Sequence, residues 1–190
     1  MGMNFLHQLC CRSAYWERHS ATNIVPWSLD GLELGDNTLE VGPGYGANVT
    51  ALRARSAALT GLEIDPELAA RLREKRAGRL RVVDGDGTAM PMGDSEFSAV
   101  VCFTMLHHVP TPEQQDDLFA EAFRVLRPGG AFAGSDGIDR LPFRLMHLGD
   151  TYNPIPPATL PARLARAGFT DIAVETGTGI FRFNAHRPVS

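Results

Sequence analysis

Short runs of apolar and β-branched residues alternate along the chain with segments whose apolar positions recur at helical spacing. The run at 98–104 has apolar residues on both faces, as expected for a central strand of a parallel sheet. The alternation of strands with helices predicts βαβ units. We therefore expect a doubly wound α/β fold with a mostly parallel sheet. The predicted strands are 38–41, 58–64, 80–83, 98–104, 131–135, 171–176 and 180–186, and the predicted helices are 48–55, 66–77, 112–126 and 159–167.

Several of these elements begin or end at local signals. Asp65 and Thr111 each stand directly before a proline, so each can cap the helix that follows while the proline occupies the first helical position. Gly177 and Gly179 separate the last two strand runs and suit a hairpin.

The length of 190 residues is that of one domain, and the hydrophobic fraction of 44% and charged fraction of 21% are ordinary for a globular protein. We predict a single domain over 1–190, with 1–33 as an N-terminal helical segment. Within this segment, residues 3–18 are predicted to form one helix that lies across the open end of the sheet as a lid.

Charge and cysteine usage exclude several classes of partner. The net charge is −4 and no basic stripe is visible, which argues against nucleic acid as a partner. Neither a membrane-spanning apolar run nor a signal peptide is found, so we expect a soluble cytoplasmic protein, monomeric or homodimeric, that does not bind membranes. Cys10, Cys11 and Cys102 are interpreted as buried free thiols. No metal site is expected, because only His7 and Cys11 have a ligand-like spacing.

Polar and glycine-rich positions follow three of the predicted strands, where ligands bind in a doubly wound sheet. The glycines of 42–46 allow a tight turn and close approach of a ligand to the backbone, although this pattern alone also fits a dinucleotide. Glu63 ends the second strand and can accept hydrogen bonds from both hydroxyls of a ribose, in NAD as well as in other nucleosides. Asp86 ends the third strand, and its carboxylate can accept a hydrogen bond from the amino group of adenine. These positions indicate a nucleoside cofactor.

Five motifs then occur in a fixed order. They are Glu40-Val41-Gly42-Pro43-Gly44-Tyr45-Gly46, Gly85-Asp86, Phe97-Ser98-Ala99-Val100-Val101, Leu106-His107-His108-Val109 and Leu126-Arg127-Pro128-Gly129-Gly130. In this order and spacing they resemble class I S-adenosylmethionine (SAM)-dependent methyltransferases of the type 11, ubiquinone-biosynthesis-like group. The resemblance covers about 34–135 and implies a Rossmann-like sheet of seven strands closed by an antiparallel hairpin. An acidic residue two positions before the first glycine, here Glu40, is typical of these enzymes, whereas dinucleotide enzymes usually have an apolar residue there.

The resemblance also implies which residues hold SAM and its product S-adenosylhomocysteine. Glu40 and the 42–46 loop would hold the methionine part, Glu63 the ribose and Asp86 the adenine amino group. The full set of implied cofactor-binding residues is Glu40, Gly42, Pro43, Gly44, Tyr45, Gly46, Glu63, Ile64, Asp86, Gly87, Thr88 and Thr104.

The expected reaction is one-step transfer of the methyl group to an O, N, S or C atom of a small molecule. His107 and His108 follow the fourth strand, at the expected reaction position, and either can act as a general base near neutral pH. The alternative is that they bond a neighbouring carbonyl group or line the pocket without a direct catalytic role. Alignment of the acceptor with the methyl group supplies much of the rate, so a strong catalytic residue is optional. Candidate substrate-pocket residues are Tyr15, Trp16, Met105, Asp136, His147 and Tyr152.

Two other functions share the same fold and nucleoside site. A SAM-binding protein without catalysis would keep the cofactor residues and lack turnover. An NAD(P)-dependent oxidoreductase would need the same topology, but Glu40 and the order of the motifs argue against it.

Overall fold

The computed structural model describes residues 4–189, without the side chains of Phe5 and Leu6. Its centre is a seven-stranded sheet in the order β3-β2-β1-β4-β5-β7-β6. Strands β1 to β5 pair in parallel, and β7 pairs antiparallel with both β5 and β6. The predicted doubly wound sheet with a closing hairpin is therefore confirmed. The strands are β1 Asn37–Val41, β2 Ala58–Glu63, β3 Arg81–Asp84, β4 Phe97–Phe103, β5 Leu126–Gly137, β6 Thr170–Thr176 and β7 Ile180–His186.

Helices cover both faces of the sheet, and their starts follow the predicted caps. The Asp65 carboxylate accepts from the backbone N–H groups of Glu67 and Leu68, and the Thr111 hydroxyl accepts from Gln114 N. None of the described helices is long and apolar enough to cross a membrane. They are α1 Phe5–Cys11, α2 Ala14–His19, α3 Val25–Ser28, α4 Val49–Arg53, α5 Pro66–Lys75, α6 Pro112–Val125, α7 Leu141–Met146 and α8 Leu160–Arg166, with short 3₁₀ turns at Leu106–His108 and Pro157–Thr159.

The prediction of one helix over 3–18 is wrong within the described residues, and Met3 lies outside them. The helix is interrupted between α1 and α2, where the Ser13 hydroxyl accepts from Trp16 N at 3.1 Å and donates to Cys10 O at 2.7 Å. Ser13 therefore caps a new helix instead of continuing the old one. A π-helical turn over Ser20–Ile24 then joins α2 to α3. Cys10 and Cys11 on α1 are half-buried rather than buried as expected.

The fifth strand also begins earlier than predicted, at Leu126 instead of residue 131. Gly129 N donates to Arg187 O, and Arg187 N donates to Gly130 O, both at 2.9 Å. These long-range bonds extend the pairing of β5 through a segment whose proline and glycines indicate a turn.

Two apolar clusters lie on opposite faces of the sheet. Along β4, Val100 and Cys102 belong to the first cluster, whereas Ala99, Val101 and Phe103 belong to the second. This alternation follows from the two-residue period of a strand. The first cluster joins the sheet to α6 and α8, and contains the fully buried Phe119, with the half-buried Phe123 packed against it. The sheet is thus fixed from both sides, and the carboxyl ends of β1 to β5 are positioned at one edge.

Candidate active site

The glycine loop after β1 adopts left-handed backbone conformations at its three glycines, with φ of +68° at Gly42, +54° at Gly44 and +75° at Gly46. A Cβ atom at Gly46 would lie 2.7 Å from Leu72 Cδ2, and one at Gly42 would lie 3.2 Å from Met105 side-chain atoms. Around Gly44, no atom lies within 4 Å of the equivalent position. Gly42 and Gly46 therefore allow the loop to pack tightly, while Gly44 leaves space for a ligand beside the backbone.

Glu40, on β1, is 1% exposed, and its two carboxylate oxygens have different environments. Asn48 Nδ2 donates to Oε1 at 2.7 Å, and Asn48 Oδ1 accepts from the Ser20 hydroxyl at 2.6 Å. Oε2 is buried and has no hydrogen-bond partner among the described residues. Burial raises the pKa of Glu40 to about 7, and the nearby Glu63 carboxylate adds to the shift. A buried acidic oxygen without a partner fits the cationic amino group of the methionine part of SAM.

Glu63, at the end of β2, is 5% exposed and organises the same loop. Its Oε2 accepts from Gly44 N at 2.9 Å, and its Oε1 accepts from Asp65 N at 3.1 Å. Burial raises the pKa of this carboxyl group. Because a carboxylate has about four acceptor positions, Glu63 retains capacity for ribose hydroxyls. The adjoining Ile64 is 67% exposed and offers an apolar surface for a nucleoside base.

The turn after β3 brings Asp86, Gly87 and Thr88 to the same edge. Asp86 is exposed, and its Oδ1 accepts from Thr88 N at 2.8 Å, which orders the turn. A Cβ atom at Gly87 would lie 3.1 Å from side-chain atoms of Leu118 and Val41, so glycine allows close packing against α6 and β1. This placement fits the implied contact of Asp86 with an adenine amino group.

Thr104 occupies an unusual backbone position directly after β4. Its φ is +50°, a left-handed conformation that is strained for a β-branched residue. The strained turn is fixed by a hydrogen bond of 2.8 Å from Thr104 N to Ser135 O on β5. The next residue, Met105, lies against Gly42 of the glycine loop. Strain of this kind is concentrated at functional sites. Thr104 lies between the end of β4 and the turn that carries His107 and His108.

His107 and Asp136 form a buried pair across the ends of β4 and β5, with both side chains 1% exposed. Asp136 Oδ1 lies 2.5 Å from His107 Nδ1, and its Oδ2 accepts from His107 N at 2.9 Å. Gly137 N also donates to Asp136 Oδ1, at 2.7 Å. The carboxylate therefore fixes both the backbone and the ring of His107. This is the arrangement in which an acidic residue orients a histidine for proton transfer.

Three further histidines surround this pair. His147 Nε2 lies 3.0 Å from His107 Nε2, and the ring centroids of His107 and His108 are 4.1 Å apart. Burial lowers the pKa of His108 to about 3 and also lowers the pKa of His147. Both side chains are therefore uncharged at neutral pH. The structure thus brings together four of the sequence-predicted residues, His107, His108, Asp136 and His147.

The sequence interpretation did not assign His7 to this cluster. His7 lies on α1, its Nδ1 is 2.9 Å from Asp150 Oδ2, and its ring centroid is 5.1 Å from that of His108. The only sequence signal was the prediction that the N-terminal segment covers the open end of the sheet.

The aromatic pocket candidates separate into two groups. Tyr152 joins the histidines, since its ring centroid is 5.2 Å from that of His147 and its hydroxyl donates to Asp139. Tyr15 is 75% exposed and stacks on His19, and Trp16 packs against the second apolar cluster. Tyr15 and Trp16 therefore do not lie beside the cluster of His107, His108 and His147.

Comparisons with known proteins identify relatives of this chain. A family model described as a methyltransferase domain matches residues 39–134, about half of the chain. The erythromycin 3''-O-methyltransferase of Saccharopolyspora erythraea is 33% identical over 171 residues, which are 77% of this chain and 54% of that protein. The chain spans about half the length of the curated relatives it matches.

Two solved structures share the fold. One is a chain of the complex between the Haloferax volcanii Trm112 methyltransferase activator and a methyltransferase, with a TM-score of 0.72, 16% identity and coverage of 99% of this chain and 100% of that one. The other is phosphoethanolamine N-methyltransferase 2 of Haemonchus contortus with bound SAM, with a TM-score of 0.73, 14% identity and coverage of 98% of this chain and 61% of that one. The chain therefore belongs to the type 11 group of class I SAM-dependent methyltransferases.

Proposed function

We propose that the protein transfers the methyl group of SAM to a hydroxyl oxygen of a small-molecule acceptor, which binds beside His107. The observation that carries this proposal is the buried His107–Asp136 pair, with Nδ1 and Oδ1 2.5 Å apart. The sulfonium group of bound SAM supplies the methyl group. The family relationship does not specify the acceptor atom, so the choice of a hydroxyl rests on this pair.

On the cofactor side, the residues of this chain would bind and orient SAM. Glu40 Oε2, a buried acceptor without a partner among the described residues, would bind the amino group, Glu63 would bind the ribose and Asp86 the adenine. Correct alignment of the methyl group with the acceptor can supply roughly 7–11 kcal/mol of the barrier. No residue has to form a covalent bond to the methyl group in this scheme.

On the acceptor side, a hydroxyl differs from a thiolate or a neutral amine because it must lose its proton as the bond to carbon forms. Asp136 stabilises the positive charge that His107 gains when it takes that proton, and its two oxygens hold the ring and backbone of His107. The name of the Saccharopolyspora relative specifies O-methylation, which agrees with this choice.

The type of methyl acceptor, the location in the cell and the oligomeric state are proposed from the sequence. The net charge of −4 favours a small molecule over a nucleic acid. We infer a cytoplasmic protein that is a monomer or a homodimer. The segment 1–33 would act as a lid, since Asn4 and His7 on it contact Asp150 beyond β5.

The first test is ligand-dependent unfolding. SAM or S-adenosylhomocysteine at about 100 times its Kd should stabilise the protein by about 2.7 kcal/mol, and each kcal/mol should raise Tm by roughly 2–4 °C. A response to NAD or NADP instead would support the oxidoreductase. Binding of SAM with no transfer to any acceptor class would support a binding protein without catalysis.

The second test is a screen of alcohols, amines and thiols with methyl-labelled SAM, followed by His107→Ala and Asp136→Asn. Loss of the base should lower kcat by about 10²- to 10⁴-fold while the Kd for SAM stays unchanged. His19→Ala is the matched control, because His19 stacks on the exposed Tyr15 outside the cluster. Unchanged turnover in His107→Ala, or faster methylation of RNA or protein than of any metabolite, would contradict the proposal.

A further inference from the structure

Three histidines from distant parts of the chain converge beside the proposed acceptor site. His7 lies on α1, His108 follows β4, and His147 follows α7. One nitrogen from each lies within 4.8 Å of the other two. We propose that His7, His108 and His147 bind one divalent transition-metal ion, with Zn²⁺ as the ion that suits them best. The argument for this site does not depend on the proposed methyl transfer, and the spacing of the three histidines along the chain did not predict it.

Each of the three rings is oriented by an oxygen acceptor at its Nδ1. For His7 the acceptor is Asp150 Oδ2 at 2.9 Å, for His147 it is the carbonyl of Phe143 at 2.7 Å, and for His108 it is the carbonyl of Thr151 at 3.2 Å. An oxygen at Nδ1 places the proton there and leaves Nε2 with a free electron pair. Metal-binding histidines almost always have this second contact, to a carboxylate or a backbone carbonyl.

The spacing of the rings also fits a single ion. The centroids are 4.5 Å apart for His7 and His147, 5.1 Å for His7 and His108, and 5.3 Å for His108 and His147. A tetrahedral zinc ion with Zn–N distances of ~2.0–2.1 Å holds its nitrogen ligands about 3.4 Å apart. The three nitrogens must therefore approach one another by about an ångström or less per side chain, which small ring rotations provide.

The ligand set favours zinc-like ions over hard cations. Imidazole nitrogen suits Zn²⁺, Co²⁺, Ni²⁺ and Cu²⁺, whereas Mg²⁺ and Ca²⁺ prefer oxygen ligands. Three protein ligands leave a coordination position for water or for a substrate atom, as in zinc sites that act on substrates.

The bound ion would replace one contact of the cluster. His147 Nε2 now lies 3.0 Å from His107 Nε2, and a bound ion would occupy the electron pair of His147 Nε2. Asp136 would still hold His107 through Nδ1 and the backbone. Metal binding therefore separates His107 from its histidine neighbour without disturbing its carboxylate partner.

The direct experiment uses tag-free, full-length protein from which metal has been removed with a chelator. Calorimetric titration with Zn²⁺ and visible absorption on titration with Co²⁺ should both show one ion per chain, and Co²⁺ should show the bands of tetrahedral coordination. X-ray absorption of the wild-type zinc protein should show three imidazole ligands, and this measurement does not depend on the folding of any variant. Absence of stoichiometric binding, or fewer than three imidazole ligands, would overturn the proposal.

Variants then assign the ligands. His7→Ala, His108→Ala and His147→Ala should each weaken Zn²⁺ binding by more than 100-fold, and Asp150→Asn by about 10- to 100-fold. His19→Ala, outside the cluster, should bind Zn²⁺ as the wild type does. Wild-type affinity in any of the three alanine variants would overturn the three-histidine site. SAM binding to the metal-free protein is measured in parallel, so failure of the metal site is distinguished from failure of the proposed function.

Discussion

The buried carboxyl group of Glu40 should destabilise the fold when it ionises, yet strengthen the binding of SAM. Replacing Glu40 by glutamine tests both effects. In the absence of cofactor, Glu40 Oε1 has Asn48 as its partner, and Oε2 has none among the described residues. The negative charge that this group gains on ionisation in the folded protein is therefore compensated at only one of its two oxygens. Burial raises its pKa from 4.5 to about 7, so the folded state holds a proton that the unfolded state releases near pH 4.5.

The sign of the effect on stability follows from this difference. Between pH 4.5 and about 7 the folded state binds more protons than the unfolded state, so the free energy of unfolding falls as the pH rises. For a shift of this size, linkage gives a loss of about 2 kcal/mol between pH 5.5 and pH 8. Glutamine removes the titration. The wild type should therefore lose about 2 kcal/mol relative to Glu40→Gln over this range, or roughly 4–8 °C in Tm.

The measurement is denaturant unfolding of both proteins, without SAM, at several pH values from 5.5 to 8. Other titrating groups are common to both proteins, so the difference between the two curves reports Glu40. Glu74→Gln provides the matched control because Glu74 is exposed on α5, and its curve should run parallel to that of the wild type. SAM should bind Glu40→Gln about ten- to a hundredfold more weakly, since a charge-assisted bond is lost. A pH-independent difference in stability between wild type and Glu40→Gln would refute the reasoning.

Two further substitutions test the cofactor loop. Gly44→Ala should destabilise the protein by only about 1–2 kcal/mol, because the φ of residue 44 is +54°. It should also weaken SAM binding by more than this loss of stability explains, because the added methyl group enters the open space beside the loop. Calorimetric titration with SAM measures the affinity, and wild-type affinity would show that SAM does not use this space. Arg76→Ala should raise the KM for SAM several-fold and lower stability by about 1–3 kcal/mol, because Arg76 donates to Gly46 O at 2.9 Å and to Glu17 at 2.5 Å. Arg79→Ala, at an exposed position, is the control. Equal KM values in the two variants would contradict a role of Arg76 in holding the glycine loop.

Local signals predicted much of the fold. Asp65 and Thr111 cap their helices as expected, because a cap depends on residues only two or three positions away. The strand positions followed from apolar patterns. Ser13 shows where such signals become ambiguous, since a serine within an amphipathic run can continue a helix or cap a new one. Here it caps, and the predicted helix divides into two.

Features that depend on distant contacts were harder to predict. The extended start of β5 results from bonds between Gly129 or Gly130 and Arg187, nearly sixty residues away in the chain. The resemblance to a family implied roles for Glu40 and Asp86, which lie within motifs, and for Glu63, which stands near the end of the second predicted strand. His7 has no motif around it, and only its contact with Asp150 in the folded chain brings it to His108 and His147.

The N-terminal segment connects the two halves of the site. On the cofactor side, Glu17 on α2 contacts Arg76, which also binds the carbonyl of Gly46 in the glycine loop. On the acceptor side, His7 on α1 contacts Asp150 beyond β5. One short stretch of chain therefore contacts both sides of the candidate site, and we expect that SAM cannot leave without loosening α2. Since α1 and α2 are adjacent, an ion that fixes His7 should also slow the release of cofactor. The rate of SAM dissociation, compared with and without Zn²⁺, measures this coupling, and equal rates would show that the two contacts act separately.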